Sequence, residues 1–391
     1  MIFKIAFKNV LSAGIRTWLN TVIISITLTA IILIQGMNNG LLKELMTNRI
    51  NEELGNGQFW HVNYDPFDPL TLEKSHGELS PAMAAAVKKR EAIPILMVAG
   101  SAYPQGRIFP AVLKGIPVDQ QILQLPFEQL QAGSPPGTIP AMIGKNMARR
   151  TQLSRGDIIT VRWRNSQGAF NATDLAIVHV FNGRVPSMDQ GQIWLPLKNL
   201  QAMNLSPNHA TIIISARPVD DQAVAPEWIR KTLDDLLADT YQLVQNKSVG
   251  AGIFYLILIF LAMIAIFDTQ ALSIFKRRRE IGTLMALGMT NRAIVWTFTM
   301  EGLLHGVFAT VLTAVTGAPL FWYFQTRGYS IPISGEDYGM AISEHLYADF
   351  SPALILGTLV IVMLLITIVS YLPARKITHL QPFVALRGKW S

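Results

Sequence analysis

Four stretches of the chain stay apolar for long enough to cross a bilayer, and a long polar stretch separates the first from the second. The first is Trp18–Met37, "WLNTVIISITLTAIILIQGM". The second runs over Gly252–Phe275, the third over Ala293–Phe324 and the fourth over Ala353–Leu372. A membrane helix needs about 20 residues at 1.5 Å rise, so each is sufficient, and the third is long enough to tilt. The first run exceeds the usual apolar core of a signal peptide, and no small-x-small cleavage site follows it. It is therefore expected to be a retained anchor.

The insert, residues 38–249, is polar and rich in turn residues, with mixed periodicity. "SPAMAAAVKKREA" (Ser80–Ala92) predicts a helix with Ser80 as N-cap and Pro81 in the first turn. "DIITVRWR" (Asp157–Arg164), "LAIVHVF" (Leu175–Phe181) and "ATIIISA" (Ala210–Ala216) predict strands. "PEWIRKTLDDLLADTYQLVQ" (Pro226–Gln245) predicts one long helix running towards the second span, and "KNMARRTQL" from Lys145 a surface helix. At the N-terminus, Ile2, Phe3, Ile5, Ala6, Phe7, Val10 and Leu11 recur at helical spacing among Lys4, Lys8 and Asn9, which fits an interfacial amphipathic helix. The expected architecture is thus an α-helical membrane protein with four transmembrane helices. A large α+β domain, in two lobes, is inserted between helices 1 and 2. The segments are 1–17 (amphipathic helix), 18–37 (span), 38–249 (domain), 252–275 (span), 276–292 (short connecting helix), 293–324 (span), 325–352 (loop), 353–372 (span) and 373–391 (tail).

Composition agrees with a membrane protein carrying a sizeable water-exposed part: 50% of 391 residues are hydrophobic and 15% charged. The net charge of +7 matters through its placement. Lys4, Lys8 and Arg16 precede the first span; Lys276, Arg277, Arg278, Arg279 and Arg292 lie between the second and third; Arg375, Lys376, Arg387 and Lys389 follow the fourth. The loop after the third span has Arg327 but also Glu336, Asp337, Glu344 and Asp349. The positive-inside rule then predicts both termini in the cytoplasm and the large domain outside. No aromatic-plus-basic or zinc-finger pattern points to nucleic acid. The chain has no cysteine, which excludes disulfides, thiolate metal sites and a cysteine nucleophile.

Motifs for chemistry are mostly absent. "GKN" at Gly144–Asn146 lacks the glycine and hydroxyl residue of a phosphate-binding loop, and no nucleophile elbow is present. The scattered histidines His61, His76, His179, His209, His305, His345 and His379 form no ligand cluster. No catalytic, metal or cofactor-binding residue is therefore expected. Within the third span, Glu301 and His305 share one helix face. Intramembrane ionisable groups usually face a protein interior or a cavity, so a proton relay or a substrate contact is one reading. An interhelical hydrogen bond near the membrane surface is the plainer one, because Glu301 lies nine residues after Arg292. Gly302 and Gly306 form a small-residue ridge suited to close helix packing, including across a dimer.

"SIFKRRREIGTLMALGMTNR" (Ser273–Arg292) joins the second and third spans. Its cations fit a topology anchor. That does not account for Glu280 or for the helical pattern of Ile281, Leu284, Met285 and Leu287, with Gly282 and Gly288 permitting close approach or a turn. A short helix of this kind can lie in a partner's groove.

These residues resemble a known family. "RRREIGTLMALGMTNRAIVWTFTMEGLLHG" (Arg277–Gly306) is similar to the signature of the FtsX/MacB/LolC superfamily of ABC-transporter permeases, also called type VII or mechanotransmission transporters. The match runs through Arg278, Glu280, Ile281, Gly282, Leu284, Ala286, Leu287, Gly288, Thr290, Glu301 and Gly302. "IAFKNVLSAGIRTWLNTVIIS" resembles the family's N-terminus through Ala6, Lys8, Asn9, Arg16, Thr17 and Leu19, and "YLPARKITHLQPFVALR" its C-terminus through Pro373, Ala374, Arg375, Pro382, Ala385, Leu386 and Arg387. In the insert, "AMIGKNMARRTQLSRGDIITV" and "GQIWLPLKNLQAMN" resemble segments of the MacB/LolC periplasmic domain.

The resemblance implies a permease subunit that is not itself an enzyme. It would pair with a second permease subunit, identical or related, and rest on a separate ABC ATPase subunit that binds ATP and Mg. No cofactor is implied in this chain. Arg278, Arg279, Glu280, Ile281, Gly282, Leu284, Ala286, Leu287 and Gly288 would form the coupling helix that meets the ATPase. Length and insert size are most like the LolC/LolE lipoprotein-releasing subunits, which implies release of lipoproteins or another amphiphile from membrane lipid, with a periplasmic lipoprotein or carrier as partner. The alternative is an FtsX-like regulator that activates a periplasmic cell-wall hydrolase. A membrane receptor without an ATPase is a third reading.

Overall fold

The computed structural model describes residues 2–12, 14–189, 191–219, 225–330 and 345–375. Part of the expected loop 325–352 (331–344, with Glu336, Asp337 and Glu344) lies outside the described residues. So does the expected tail from residue 376 on, with its Pro382, Ala385, Leu386 and Arg387 motif. Internal contacts divide the chain into two compact units: Met1–Lys43, Leu243–Ser330 and His345–Ser391 in one, Glu44–Gln242 and Ile331–Glu344 in the other.

In chain order, α1 (Ile2–Ser12) stops at Gly14, whose φ of +60° ends the helical path, and α2 (Ile15–Arg49) begins anew. The inserted domain then runs β1 (Gln58–His61), β2 (Gly77–Glu78), α3 (Pro81–Lys88), β3 (Ala92–Ala102), β4 (Phe109–Ile116), β5 (Ile139–Gly144), α4 (Lys145–Thr151), β6 (Ile158–Arg164), β7 (Phe170–Phe181), α5 (Pro186–Asp189), β8 (Gln192–Pro196), α6 (Leu197–Met203), β9 (His209–Ala210), β10 (Ile212–Ser215) and β11 (Trp228–Lys231). After it come α7 (Leu233–Lys276), α8 (Arg278–Ala286), α9 (Asn291–Thr326), the short strands β12 (Tyr329–Ser330) and β13 (His345–Leu346), and α10 (Pro352–Arg375).

The expected mixed α/β domain between the first and second spans is present, built on a nine-stranded sheet in the order β11-β1-β10-β3-β4-β8-β5-β7-β6, with β3 also pairing β6. That last pairing closes the strands from β3 to β6 into a ring. The closure is local: on one edge of β3, Ala92–Ile95 pair with β10, while Gly100–Ala102 pair with β6. Gly100 sits at the junction, where an added Cβ would stand 2.9 Å from the Arg162 carbonyl oxygen, so only glycine lets the strands meet. Alternate residues then divide between two cores. Leu96, Val98, Leu113, Ile143, Val161, Ile177 and Leu195 point into the ring. Ile95, Met97, Ile116, Met142, Trp194, Ile212 and Ile214 build a second core on the opposite face. The two expected lobes are therefore two cores on one continuous sheet.

Local signals explain most boundaries. Ser80 Oγ accepts from the Met83 amide at 3.3 Å and starts α3. The expected helix over Pro226–Gln245 is corrected: its first part is strand β11, paired with β1, and Trp228 is buried beside Met83, Ala210 and Ile213. A capping box sets the true start. Thr232 N donates to Asp235 Oδ2 (3.0 Å), and Asp235 N donates to Thr232 Oγ1 (3.2 Å).

Among the described residues four helices are long and apolar enough to cross a membrane, within Trp18–Leu54, Gly252–Lys276, Asn291–Thr326 and Pro352–Arg375. Ile24, Leu28, Ile266, Ala309, Val362 and Ile366 form the centre of this bundle. Leu256, Phe260, Val360 and Leu364 are exposed, as a lipid-facing surface requires. Hydroxyls tie the spans: Ser25 Oγ lies 3.0 Å from Thr313 Oγ1, and Thr358 Oγ1 donates to Gln35 Oε1 at 2.9 Å.

Candidate functional site

Helix α7 ends in Lys276, the chain bends at Arg277 (φ −96°, ψ 15°), and α8 follows. The "ALGMT" sequence closes α8 and opens α9. Gly288, at φ +92°, donates to the Met285 carbonyl, and Met289 N donates to the Leu284 carbonyl, which together make a Schellman motif. Thr290 then caps α9 by accepting from Ala293 N at 3.3 Å. The spacing of alanine, leucine, glycine and hydroxyl in this stretch is thus the grammar of a tight helix–turn–helix.

The bend brings Arg277 against the third span. Its guanidinium donates to Glu280 at 2.8 Å and to Glu301 at 2.8 Å, and it lies 5.1 Å from the Phe298 ring centroid. Glu301 also accepts from Asn9 Nδ2 at 2.7 Å, which ties in α1. The Glu301 side chain is only 6% exposed and that of Arg277 23%. Helix α1 completes the joint by packing Ala6 and Val10 on Leu304. One carboxylate therefore holds three helices. A buried ion pair of this kind adds little when intact, but loss of one partner strands a charge and is strongly destabilising.

Around these groups lies a polar cavity of about 480 Å³, lined in part by Asn20, Gln270, Lys276 and His305. Thr269 Oγ1 donates to Asn20 Oδ1 at 3.1 Å. His305 Nδ1 is 2.6 Å from the Glu301 carbonyl oxygen, one turn back on the same helix. Glu301 thus sits in an interhelical brace, and His305 bonds its own backbone. Gly302 and Gly306 are used inside the chain: an added Cβ would stand 1.9 Å from Ser370 Oγ at Gly302 and 2.7 Å from Met363 Sδ at Gly306, so both admit α10 against α9.

Helix α8 divides cleanly. Ile281 and Gly282 are buried, and Leu284 and Met285 pack partly against Ile294, Val295 and Phe298. Of the apolar ridge read from the sequence, Ile281, Leu284 and Met285 therefore face the chain's own bundle, and Leu287 does not. Arg279, Glu280, Ala286, Leu287 and Gly288 are exposed, Leu287 at 79%. Arg278 lies over Phe275, with its Nε donating to the Phe275 carbonyl at 3.2 Å. Arg277 is the residue of this brace that sequence reasoning passed over, since a run of four cations reads as a topology anchor. The carboxylate in the adjoining span was the available signal.

A four-span bundle with a mixed α/β domain inserted after the first span, and a short capped helix between the second and third, defines a permease-type multi-pass membrane protein. Residues 252–382 match the family model described as FtsX-like permease C-terminal, and residues 17–232 match the MacB-like periplasmic core domain. The second match covers more than half of the chain, and the chain belongs to the FtsX/MacB/LolC superfamily of ABC-transporter permeases. It is 47% identical over 70 residues to the cell division protein FtsX of Bacillus subtilis, covering 18% of this chain and 24% of that protein. An uncharacterized ABC transporter permease of Methanocaldococcus jannaschii is 27% identical over 192 residues, 46% of each chain. The lipoprotein-releasing system transmembrane protein LolC of Xylella fastidiosa is 20% identical over 308 residues, 71% of this chain and 73% of that one. The match thus spans about a quarter of the FtsX protein and under half of the archaeal permease.

Proposed function

We propose that this chain is the transmembrane subunit of an ABC transporter in the bacterial inner membrane, with both termini cytoplasmic and the inserted domain periplasmic. It pairs with a second permease subunit, identical or related. A separate ATPase, which binds ATP and Mg and performs the hydrolysis, docks on α8. ATP-driven motion passes through the spans to the periplasmic domain and releases a lipoprotein or another amphiphile from membrane lipid. The observation that carries this reading is the division of α8: one face is locked to the bundle through Ile281 and the Arg277–Glu301 brace, while Leu287 and its neighbours stand exposed. A push on such a helix is transmitted rather than absorbed. The chain has no cysteine, so a single Leu287→Cys variant gives a clean test. It is expected to form a disulfide with a cysteine placed in the groove of the co-expressed ATPase. Absence of any such link, while the two subunits still co-purify, would remove α8 as the docking helix.

The likeness to FtsX over 70 residues supports a second reading, in which the same motion activates a periplasmic cell-wall hydrolase. Crosslinking from the inserted domain in cells separates the two. Capture of acylated proteins favours release, and capture of a peptidoglycan hydrolase favours regulation.

A further inference from the structure

Strand β4 sets Lys114 between Met97 of β3 and Trp194 of β8, with Met142 of β5 next in the row. The other three are core side chains, and the strand's own alternation puts Val112 and Ile116 on the same face as Lys114. A lysine thus interrupts an otherwise apolar surface. It is 9% exposed, its Nζ lies 5.1 Å from the Trp194 ring centroid, and it has no side-chain hydrogen bond or ion pair among the described residues. The Trp194 Nε1 donor is buried and unpartnered as well. Burying a charge without a counter-ion is costly, and such groups are normally paired.

Both residues line a cavity of about 770 Å³ whose wall includes Trp60, Met97, Ile212 and Ile214. That is the size of a small-ligand site, and its wall joins an apolar strip to polar and charged residues that can set orientation. Other charges lie along the same lining. Glu53 is taken by Arg49 at 3.1 Å, and Asp235 holds the Thr232 cap at 3.0 Å. Asp65, Asp239 and Lys231 line it too, and the Lys231 Nζ lies 5.2 Å from the Trp60 ring centroid. These carboxylates disfavour a second acidic group, so one anion at Lys114 is the complement.

We propose that this cavity binds an amphiphile with one acidic head and an apolar chain, the head held by Lys114 Nζ and the chain lying along Trp60, Met97 and Ile212. Burial of ligand carbon and a charge-assisted bond in a dry setting both favour the complex. The inference concerns the inserted domain alone and holds whether or not α8 meets an ATPase.

The test uses the full chain in lipid nanodiscs and a photoactivatable palmitic-acid analogue, with labelled peptides mapped by mass spectrometry. The spans label in every sample and serve as the loading control. Label is expected on peptides carrying Trp60 or Met97. Relative to span label it should fall about ten-fold in Lys114→Met, as loss of a charge-assisted bond implies, and be largely kept in Lys114→Arg. A palmitylamine analogue, with the head charge reversed, should label the spans alone. Equal cavity labelling in Lys114→Met, equal labelling by the amine, or no cavity label at all would each overturn the proposal.

Discussion

Arg277 and Lys114 are both withdrawn from water, and they are treated in opposite ways. Arg277, at the bend before α8, meets two carboxylates and an aromatic face. Lys114, in the sheet of the inserted domain, meets an aromatic face and, among the described residues, no carboxylate at ion-pair distance. The first is a closed brace in which each charge answers another. In the second, a positive group is held among methionines and tryptophan with its bonding capacity unspent. Burial lowers the Lys114 pKa from 10.5 to about 8. The contrast separates a charge that fixes the fold from one that the fold tolerates.

The largest effect should come from breaking the closed brace. Arg277→Ala leaves Glu301 buried without its cation and is expected to cost about 3–5 kcal/mol, read as a lower unfolding temperature of the purified protein. Adding Glu301→Gln should return much of that loss, because the stranded charge is removed; no recovery would mean that Arg277 acts by packing alone. Lys114→Met should do the reverse. The unfolded amine titrates at 10.5 and the folded one at about 8, so above pH 10.5 the group is neutral in both states and costs nothing. As pH falls from 10.5 to 8 the unfolded chain takes up the proton first, and stability declines until the penalty is complete below 8. Lys114→Met is therefore expected to gain on the order of 3 kcal/mol at neutral pH, a gain that vanishes above pH 10.5. A destabilised Lys114→Met protein would erase the contrast.

Two smaller changes probe what surrounds the brace. Gly302→Ala drives a Cβ towards Ser370 and should cost about 1–3 kcal/mol, less in combination with Ser370→Gly. Gly288→Ala puts a side chain at φ +92° and should cost about 1 kcal/mol, measured as the same thermal shift.

Much of this was legible in the sequence because it is local. The spans follow from run length, β6 from a strict alternation that the fold repeats in its burial, and α3 from Ser80 and Pro81. What the sequence hid is non-local. The helix expected from Pro226 lost its first turn to pairing with β1, which no window of neighbouring residues can reveal. Closure of the ring at Gly100 depends on β3 and β6, far apart in the chain. Which residues of α8 face the bundle was not legible either, since an apolar ridge looks the same whether it meets a partner or its own bundle, and Ile281 meets its own. Lys114 gave no signal, because an isolated lysine in a strand is ordinarily a solvated one.

The central claim is that work done in an ATPase enters through the exposed face of α8, and one measurement addresses it directly. The ATPase activity of the assembled complex in nanodiscs is compared for the native chain and for Leu287→Asp, a substitution at a side chain that is 79% exposed. The account predicts loss of most of the permease-dependent stimulation with the unfolding temperature of the permease unchanged. Full stimulation in Leu287→Asp would contradict it.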